Sequence, residues 1–581
     1  MKKKIFSVLM TGLALVSLGS CADSEYSDKY QDPATTKSAT VPDVFDAVLY
    51  KGNVWMNPMY YRYYCQTSTS GVFSGIIGSA NSKGRFHGAG ESRYNDRWKA
   101  FYDMLTQYCL LKKTYTELSD DLKPNNEVFL ILSRTLIDAQ LHEMLSLYGS
   151  IPFNGCGTLW EASDYSGAKE KAVYEKDTDL YKQILSELKE AADYFANGGP
   201  NSVAQTSLKN KDYTIASGST AKWQKYINSL RLRIGLHLAT NGDLTEEGKA
   251  VIAEVLGNPT KYPVIDNNDE NMGVAASTAN DDFNFGKSLS QALHRGYTPS
   301  QTYLDAMNLP SNGKPDANTD PRIQALLDPN PDGEYISYDL SKSSTEISNI
   351  SSAKVKEYND RKPAVTGAGY YCTLDSTAYA GIEEYNGNDN TFGLWIGAAE
   401  VSLTKAEAYL MGYGVSKDES KAKTNFIEGI KQSTEYYWNV KEGSSLYDTM
   451  DPSDSYYEDR EIVRPTKASI QQYAESIWKP TQEAVCTQLW LNYSWTNLLE
   501  AWNVTRRTGY PEVTFAEDGI TTDYPTPPSR IPYPSDELNY NSEHVQDAIS
   551  KYYDSSANGT GGYYTKLFWA KQTYYKISGK Q

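Results

Sequence analysis

The sequence lacks most of the residues and motifs from which catalytic sites are built. Only five of its 581 residues are histidine. The zinc-protease pattern HExxH is absent, because His142-Glu143 is followed by Met-Leu-Ser, and the patterns GxxxxGK[ST] and GxSxG are absent too. Carboxylate pairs could serve a glycoside hydrolase, but 73 acidic residues produce many chance pairs. We therefore predict a protein that is not an enzyme and requires no cofactor, with a surface glycoside hydrolase as the alternative from another class.

Basic charge is also scarce. The chain has 56 lysines and arginines against 73 acids, a net charge of −17. Residues 1–20 hold three lysines and no acid, so removing them makes the net charge more negative by three. Such a protein repels phosphate backbones and anionic lipid surfaces. The composition therefore argues against nucleic acid as a partner.

Cysteine is sparse and irregularly spaced. Apart from Cys21, the sequence holds five cysteines: Cys65, Cys109, Cys156, Cys372 and Cys486. An odd number at wide, irregular intervals is typical neither of a disulfide framework nor of a zinc site. We expect buried free thiols at most of these positions.

Long apolar runs are missing except at the N-terminus. Three lysines at positions 2–4 precede an apolar run at 5–18, which is shorter than the roughly 20 residues that span a bilayer. Such a run behind lysines is typical of a secretory signal. The sequence Leu18-Gly19-Ser20-Cys21 resembles a bacterial lipobox, in which cleavage leaves the cysteine as a lipid-modified first residue. We expect a lipoprotein signal peptide at 1–20 and lipidation of Cys21, the alternative being an ordinary signal peptide with an incidental cysteine.

A polar segment follows Cys21. Residues 22–40 contain few bulky apolar groups, which predicts a flexible, lipid-anchored tether at 21–40. Asp23 and Glu25 resemble the export signal that sends Bacteroidetes lipoproteins to the outer face of the outer membrane. We therefore expect a lipid-anchored, cell-surface-exposed protein of the outer membrane, with the periplasmic face as the alternative.

Apolar residues recur at helical intervals in eight segments. The segments lie at about 98–108, 137–148, 177–196, 223–234, 398–412, 420–438, 467–478 and 484–506. Gly149 and Pro152 end the second helix, and Gly198-Gly199-Pro200 ends the third. The pattern predicts a mainly α protein with a tetratricopeptide-like scaffold of about four helix pairs and few short strands, although the 34-residue consensus of that repeat is absent.

The segments between these helices are rich in Asn, Asp, Gly, Ser, Pro and Tyr. Loops on a rigid scaffold are where binding usually occurs. We expect a single domain at 41–581. Its predicted parts are a helical scaffold at about 95–240 and 398–506, a loop-rich insertion at about 241–397, and an irregular C-terminal segment at 509–581.

One stretch of the insertion imitates the start of a calcium loop. Asp328, Asn330, Asp332 and Asp339 offer oxygen ligands at suitable spacing, so calcium is a candidate cofactor. Two prolines stiffen the stretch, and the bidentate glutamate of such loops is missing. A Pro-Asp-Gly turn between strands explains the stretch equally well.

The most specific signal lies near the C-terminus, where residues 500–511 read Glu-Ala-Trp-Asn-Val-Thr-Arg-Arg-Thr-Gly-Tyr-Pro. Arginines at the negative end of a helix followed by glycine form a C-cap. The segment also closely resembles the E-W-x-x-x-R-R-T-G-Y-P segment of the SusD/RagB family. Residues 530–534, followed by Glu537 and Asn541, resemble that family's R-x-P-Y-P tail. Further matches are Trp223 with 228–233, then 320–322, 399–401 with 406–408, and 148–153.

The resemblance implies an α-helical, tetratricopeptide-like scaffold that docks as a lid on a SusC-type TonB-dependent transporter. Members of the family capture oligosaccharides, or in some cases peptides, and break no bonds. The resemblance therefore implies a cell-surface nutrient-binding lipoprotein of polysaccharide utilization, which captures a glycan and delivers it to the transporter. Capture of a peptide is the alternative within the family.

Aromatic residues are abundant, with 47 tyrosines, 11 tryptophans and 14 phenylalanines. Such rings suit contact with sugars or peptides, although packing between helices is the alternative for each one. The first candidate ligand-binding cluster precedes the first predicted helix and comprises Phe73, Arg85, Phe86, His87, Arg93, Tyr94 and Asn95. The second lies in the insertion and comprises Tyr370, Tyr371, Tyr385 and Trp395.

Overall fold

The described part of the chain in this computed structural model comprises thirteen segments. They are residues 39–56, 65–78, 85–86, 91–158, 165–274, 298–330, 332–361, 370–375, 393–444, 462–518, 524–553, 563–570 and 572–580. The signal peptide predicted at 1–20, Cys21 and nearly all of the predicted tether lie outside these residues, so their assignment stays a prediction. Residues Val41–Gln581 form one compact unit.

Helices dominate the described residues. They are α1 (Val41–Met56), α2 (Ser70–Phe73), α3 (Glu91–Thr116), α4 (Glu127–Tyr148), α5 (Tyr165–Lys171), α6 (Asp177–Ala196), α7 (Ser202–Lys211), α8 (Thr220–Ala239), α9 (Thr245–Gly257), α10 (Gln301–Ala306), α11 (Ile323–Leu326), α12 (Ser344–Arg361), α13 (Ala398–Met411), α14 (Glu419–Glu442), α15 (Lys467–Ser476), α16 (Gln482–Tyr493), α17 (Leu498–Thr508), α18 (Ser535–Tyr540) and α19 (Ser542–Tyr552). Two short 3₁₀ helices are Lys123–Asn125 and Asn268–Glu270.

The strands are short, and in the described segments they form five two-stranded sheets. The strands are β1 (Ile77–Gly78), β2 (Ile151–Pro152), β3 (Tyr174–Glu175), β4 (Met272–Val274), β5 (Thr298–Pro299), β6 (Leu327–Asp328), β7 (Thr373–Leu374), β8 (Gly393–Ile396), β9 (Val513–Phe515) and β10 (Tyr575–Ile577). The pairs β1–β5, β2–β3, β4–β8 and β6–β7 are antiparallel, and β9–β10 is parallel. These pairs join segments of the chain that lie outside the helices.

Amphipathic periodicity explains the helices. In α6, Leu180, Ile184 and Leu188 recur at intervals of four and are all buried, while acidic Asp177 and Asp179 occupy the favourable first turn. The helix spans the residues that periodicity predicts. The helices pack against one another: α3 packs on α4, α4 on α6, α8 on α9, and α13 on α14. The mainly helical, tetratricopeptide-like architecture is thus confirmed.

Gly149 ends α4, as the sequence predicts. Its φ of 76° is a left-handed conformation that favours glycine. A Cβ atom at this position would lie 2.3 Å from the Tyr553 hydroxyl, which accepts a hydrogen bond from the Ser150 N–H at 2.7 Å. Turn and side-chain packing therefore both require glycine here.

The helix expected at 484–506 is wrong as a single helix. The structure divides it into α16 and α17, separated by Ser494 with a φ of 22°. The Ser494 Oγ lies 2.7 Å from the Tyr303 hydroxyl, and Asn497 caps the second helix by accepting from the Glu500 N–H. Trp495, which the periodicity places inside a helix, lies between the two. The helix pairs are expected in sequence order, with 467–478 packing on 484–506. In the structure α15 packs on α14, and α16 packs on α17 and α13.

The core combines large aromatic rings with buried ion pairs. Among the described residues, five tryptophans are less than 2% exposed: Trp223, Trp438, Trp490, Trp502 and Trp569. The five cysteines in the described residues are free, and Cys65, Cys372 and Cys486 are buried, as the sequence predicts. No helix within the described ranges is both long and apolar enough to cross a membrane.

Candidate functional site

Three members of the first predicted ligand cluster lie in the core. The Phe73 ring packs 5.3 Å from that of Trp502, and Phe86 packs 5.3 Å from Phe515. The Arg85 guanidinium donates to the carbonyl oxygens of residues 340 and 342 at 2.7 and 2.8 Å, and burial lowers its pKa to about 10. All three side chains therefore have the packing role that the sequence leaves as the alternative, and their positions give no support to ligand contact.

The remaining members of that cluster are only partly described. His87 lies outside the described residues. Arg93 and Tyr94 belong to α3, but their side chains are not described. The Asn95 amide donates to Ser535 Oγ at 3.2 Å and is half-buried. Ligand contact by these four residues stays a prediction.

Trp395 of the second predicted cluster is also a core residue. Its side chain is 5% exposed, and its ring packs 5.4 Å from Tyr226 and 6.2 Å from Trp223. Trp395 also lines a small cleft, together with Asn271 and Asn492. The cavity volume of the cleft is about 20 Å³, which is room for one ordered water and much less than a sugar ring needs. Tyr385 lies outside the described residues.

Tyr370 and Tyr371 come together with a third tyrosine at the surface. The rings of Tyr338 and Tyr371 meet edge to face with centroids 4.3 Å apart, and Tyr370 lies 5.0 Å from Tyr371. All three side chains are half-buried. We call Tyr338, Tyr370 and Tyr371 the tyrosine patch. Each side chain keeps part of its surface exposed, so the patch offers adjacent aromatic groups for contact with a ligand.

The backbone holds the tyrosine patch in place. The Tyr338 ring packs against Gly78 of β1, where an added Cβ would lie 2.5 Å from ring atoms. The Tyr371 hydroxyl donates to the carbonyl of Ile347 in α12 at 3.2 Å, and Asn330 donates to the Tyr370 carbonyl at 3.2 Å. The side chains of Tyr338 and Tyr371 are therefore held by packing and by a hydrogen bond before any ligand arrives, which reduces the entropy lost on binding.

Polar groups surround the patch. Burial raises the pKa of Tyr338 and of Tyr371. The Tyr371 hydroxyl already donates to the Ile347 carbonyl, so it can accept a hydrogen bond from a ligand, whereas the Tyr338 hydroxyl can donate one. Lys354 Nζ lies 5.9 Å from the centre of the Tyr370 ring and 2.9 Å from Glu357 Oε2. The patch thus combines ring faces with donors and acceptors at its edge, which is the chemistry that sugar hydroxyls require.

Tyr338 is absent from the residues predicted from sequence. It follows Tyr335, Ile336 and Ser337 in a segment where buried and half-buried side chains alternate. Such alternation is typical of an extended chain with one outward face. This alternation appears only in the structure, because the residue types at 335–338 do not alternate between polar and apolar, and only the fold shows that Tyr338 meets Tyr371.

Two of the four residues of the predicted calcium loop, Asn330 and Asp339, have local partners. Asn330 Oδ1 accepts from the N–H groups of Asp332 and Glu334, both at 3.0 Å. Asp339 pairs with Lys342 and accepts from the Ser341 N–H at 3.0 Å. These contacts are those of a turn, the alternative that the sequence left open. A calcium ion would have to displace them, and its binding stays a prediction.

The motif residues near the C-terminus are structural. Arg506 stacks 3.6 Å from the Trp502 ring and donates to the Ser146 and Ser529 carbonyls, both at 2.9 Å. Arg507 forms two hydrogen bonds of 2.6 Å to Glu407. Both arginines are buried. They join distant segments of the scaffold and leave ligand contact to other residues.

Comparison with known families and structures agrees with this architecture. The family model described as "Starch-binding associating with outer membrane", the SusD-like family, matches residues 55–534. The chain belongs to this family. It is therefore a nutrient-binding protein of the SusD type, in a family that associates with the outer membrane and whose members are binding proteins. The search of curated proteins found no match.

Solved SusD-like structures share the fold over nearly the whole chain. A chitin-binding protein is 18% identical with a TM-score of 0.65, and the match covers 91% of this chain and 100% of that one. A SusD homolog from Bacteroides thetaiotaomicron is 18% identical with a TM-score of 0.60, covering 92% and 100%. A SusD homolog from Bacteroides fragilis is 18% identical with a TM-score of 0.61, covering 91% and 100%. At these identities the likeness concerns the fold alone.

Proposed function

We propose that this SusD-like protein captures a glycan at the cell surface and delivers it to a SusC-type TonB-dependent transporter. The tyrosine patch is the observation that carries the proposal, with Tyr338, Tyr370 and Tyr371 as the residues that contact sugar. The starch-binding description of the family and the chitin-binding protein of like fold support a carbohydrate ligand. The net charge of −17 favours a neutral glycan over an acidic one.

Physical chemistry supports an oligosaccharide at the patch. A pyranose ring has a face of C–H groups that packs on an aromatic ring, and its hydroxyls seek hydrogen-bond partners at the ring edge. Tyrosine supplies both on one stiff side chain, so little conformational entropy is lost. The three rings lie within 5.0 Å of a neighbour, so they can contact successive parts of one chain.

The binding experiment uses the chain with Cys21→Ser, an oligosaccharide array and then titration calorimetry. Tyr370→Ala should weaken binding of the identified glycan about ten-fold, equivalent to about 1.4 kcal/mol. Tyr540→Ala is the matched control, because Tyr540 is 65% exposed and belongs to α18, outside the patch. Equal affinity of the parent and of Tyr370→Ala, with Tyr371→Ala also unchanged, would contradict the proposed site.

The same preparation separates glycan capture from its alternatives. A peptide array run beside the oligosaccharide array tests the peptide-capturing alternative, and binding of peptides alone would replace the glycan proposal. Prolonged incubation with the bound glycan should release no reducing sugar. Steady release that disappears when one acidic residue is changed would establish the glycoside hydrolase alternative.

The transporter and the anchor need separate tests. An affinity-tagged native lipoprotein should co-purify with a SusC-type barrel from detergent-solubilised outer membranes. Palmitate labelling should require Cys21, and Cys21→Ala should free the protein from the membrane, since acyl burial contributes about 0.8 kcal/mol per CH₂. External protease should remove the wild-type protein from intact cells. Retention of the Cys21→Ala protein on the outer leaflet would refute the anchor.

A further inference from the structure

A second group of chemically active side chains lies far inside the scaffold. His142 of α4, His237 of α8 and Glu500 of α17 each direct one ligand atom to a common point, and these atoms lie within 4.8 Å of one another. All three side chains are buried, with residue exposures of 1%, 3% and 4%. Among the described residues, no other three His, Cys, Asp or Glu side chains lie this close together in a group that could hold a metal ion.

The geometry of His142 is that of a metal ligand. Its Nε2 lies 3.2 Å from Glu500 Oε1. Two ligands of a tetrahedral zinc with bonds of about 2.0–2.1 Å lie roughly 3.3–3.4 Å apart, so this pair needs almost no movement to bind the ion. The other ring nitrogen, Nδ1, lies 3.2 Å from the Tyr181 hydroxyl. A partner on the second nitrogen is what orients the ring of a ligating histidine.

His237 supplies an independent observation. Its Nε2 is buried and has no hydrogen-bond partner within the described part of the chain. A buried polar atom without a partner costs about 1–3 kcal/mol, and a bound ion is one of the few ways to satisfy it. The ring centre of His237 lies 4.9 Å from that of His142, with the planes nearly perpendicular at 87°. Ligand atoms up to 4.8 Å apart would have to approach to about 3.3–3.4 Å to share one tetrahedral zinc ion, a side-chain movement of about 1 Å.

The charges around the group leave Glu500 available. Arg233 is paired with Glu400, and Arg507 with Glu407. The guanidinium of Arg506 donates to carbonyl oxygens and stacks on Trp502. The Glu500 carboxylate therefore has His142 as its hydrogen-bonded partner, and the Arg233 cation also acts on it. The remaining negative charge can offset part of that of a divalent cation.

We propose that His142, His237 and Glu500 bind one zinc ion in the core, where it ties α4, α8 and α17 together. Two imidazoles and one carboxylate are three of the four ligands of a tetrahedral zinc site, and a water molecule would take the fourth position. Because the group is buried, the ion enters as the chain folds, and its binding stabilises the folded state. The competing account is a buried His142–Glu500 ion pair beside a neutral His237, without metal.

The test uses the Cys21→Ser chain, unfolded in guanidinium with a chelator and refolded with either zinc or chelator. Metal analysis after extensive dialysis should give about one zinc per chain in the first sample, with a melting temperature several degrees higher than in the second. Refolding with cobalt should give the visible absorption of a tetrahedral cobalt site. His237→Gln should lose the ion, and His544→Gln should keep it, because His544 is half-buried beside Asn541.

The outcomes separate the two accounts. Less than about a tenth of an equivalent of zinc in the wild type, with equal melting temperatures, would establish the ion pair and overturn the proposal. Equal zinc in wild type and His237→Gln would place the metal elsewhere and overturn it as well. If His237→Gln does not fold, the refolding comparison and the cobalt spectrum of the wild type decide. None of these results depends on whether a glycan binds.

Discussion

The buried ion pair between Arg507 and Glu407 offers a quantitative test of how the scaffold is held together. Both hydrogen bonds measure 2.6 Å, and the side chains are 3% and 0% exposed. The pair joins α17 to α13. Burial alone would raise the pKa of Glu407, but the adjacent Arg507 guanidinium outweighs it and holds that pKa below its ordinary value. The native state therefore depends on Arg507 to keep a charged carboxylate in the core.

The Arg507→Met variant leaves that carboxylate buried without its cation. The Gln482 amide, 3.1 Å away, remains as a neutral donor, and Thr240 loses a 2.9 Å contact with Arg507. Removing one partner of a buried pair costs about 3–5 kcal/mol. We expect a loss of about 4 kcal/mol in the free energy of unfolding, measured by urea titration of tryptophan fluorescence. The double variant Arg507→Met/Glu407→Leu removes both charges and should lie within about 2 kcal/mol of the wild type.

The pH dependence gives the second half of the test. In the wild type, the folded pKa of Glu407 is below its unfolded value, so its stabilisation is present above the unfolded pKa and is lost as pH falls through the folded pKa. In Arg507→Met burial is opposed only by neutral hydrogen bonds such as that from Gln482, so the folded pKa of Glu407 rises. The deficit in the free energy of unfolding of Arg507→Met relative to the wild type should therefore be largest near pH 7.5 and become smaller toward pH 5. The reasoning fails if the deficit is constant over this range, or if the double variant is as unstable as the single one.

Three further predictions concern packing and reactivity. Gly149→Ala should lower the free energy of unfolding, measured by urea titration, by more than about 2 kcal/mol, because φ is 76° and the new Cβ meets Tyr553. Gly257→Ala is the control and should stay within about 0.5 kcal/mol of the wild type, because the space around Gly257 is open. Similar losses in both variants would contradict the clash. Arg506→Lys should cost about 2–3 kcal/mol through lost stacking and carbonyl contacts, while Arg464→Lys, in a surface pair with Glu442, should cost less than about 1 kcal/mol; equal costs would remove the structural role of Arg506. Burial raises the pKa of Cys156 and of Cys372 to about 12, so at pH 8 both thiols should react with a disulfide reagent far more slowly in the folded than in the unfolded protein, and fast labelling of the folded chain would show that they are accessible.

Most of the helical scaffold could be predicted from local pattern. The interval of four between Leu180, Ile184 and Leu188 locates α6, and glycine with a left-handed φ ends α4 at the expected residue. These features depend on neighbours within a few turns, so the sequence alone contains the necessary information.

The features that local pattern does not reveal depend on contacts between distant residues. The break between α16 and α17 places Ser494 beside Tyr303, 191 residues earlier in the chain. Arg85 is drawn into the core by carbonyl groups 255 and 257 residues away. A Gly/Ser-rich segment with arginine and aromatics has the composition of an exposed loop, and only those acceptors reveal that it is buried. Local composition could not distinguish these two environments.

The same contrast explains why the family is easier to identify than the ligand. Arg506 and Arg507 each need several fixed partners to remain in the core, so a short motif already implies a specific scaffold around it. Tyr370 and Tyr371 are half-buried, and the Tyr371 ring contacts those of Tyr370 and Tyr338. Truncating one of these tyrosines to alanine should therefore lower the free energy of unfolding far less than removing a buried arginine. For that reason the tyrosine patch is the place where a loss of glycan affinity, measured at unchanged stability, can be attributed to ligand contact rather than to unfolding.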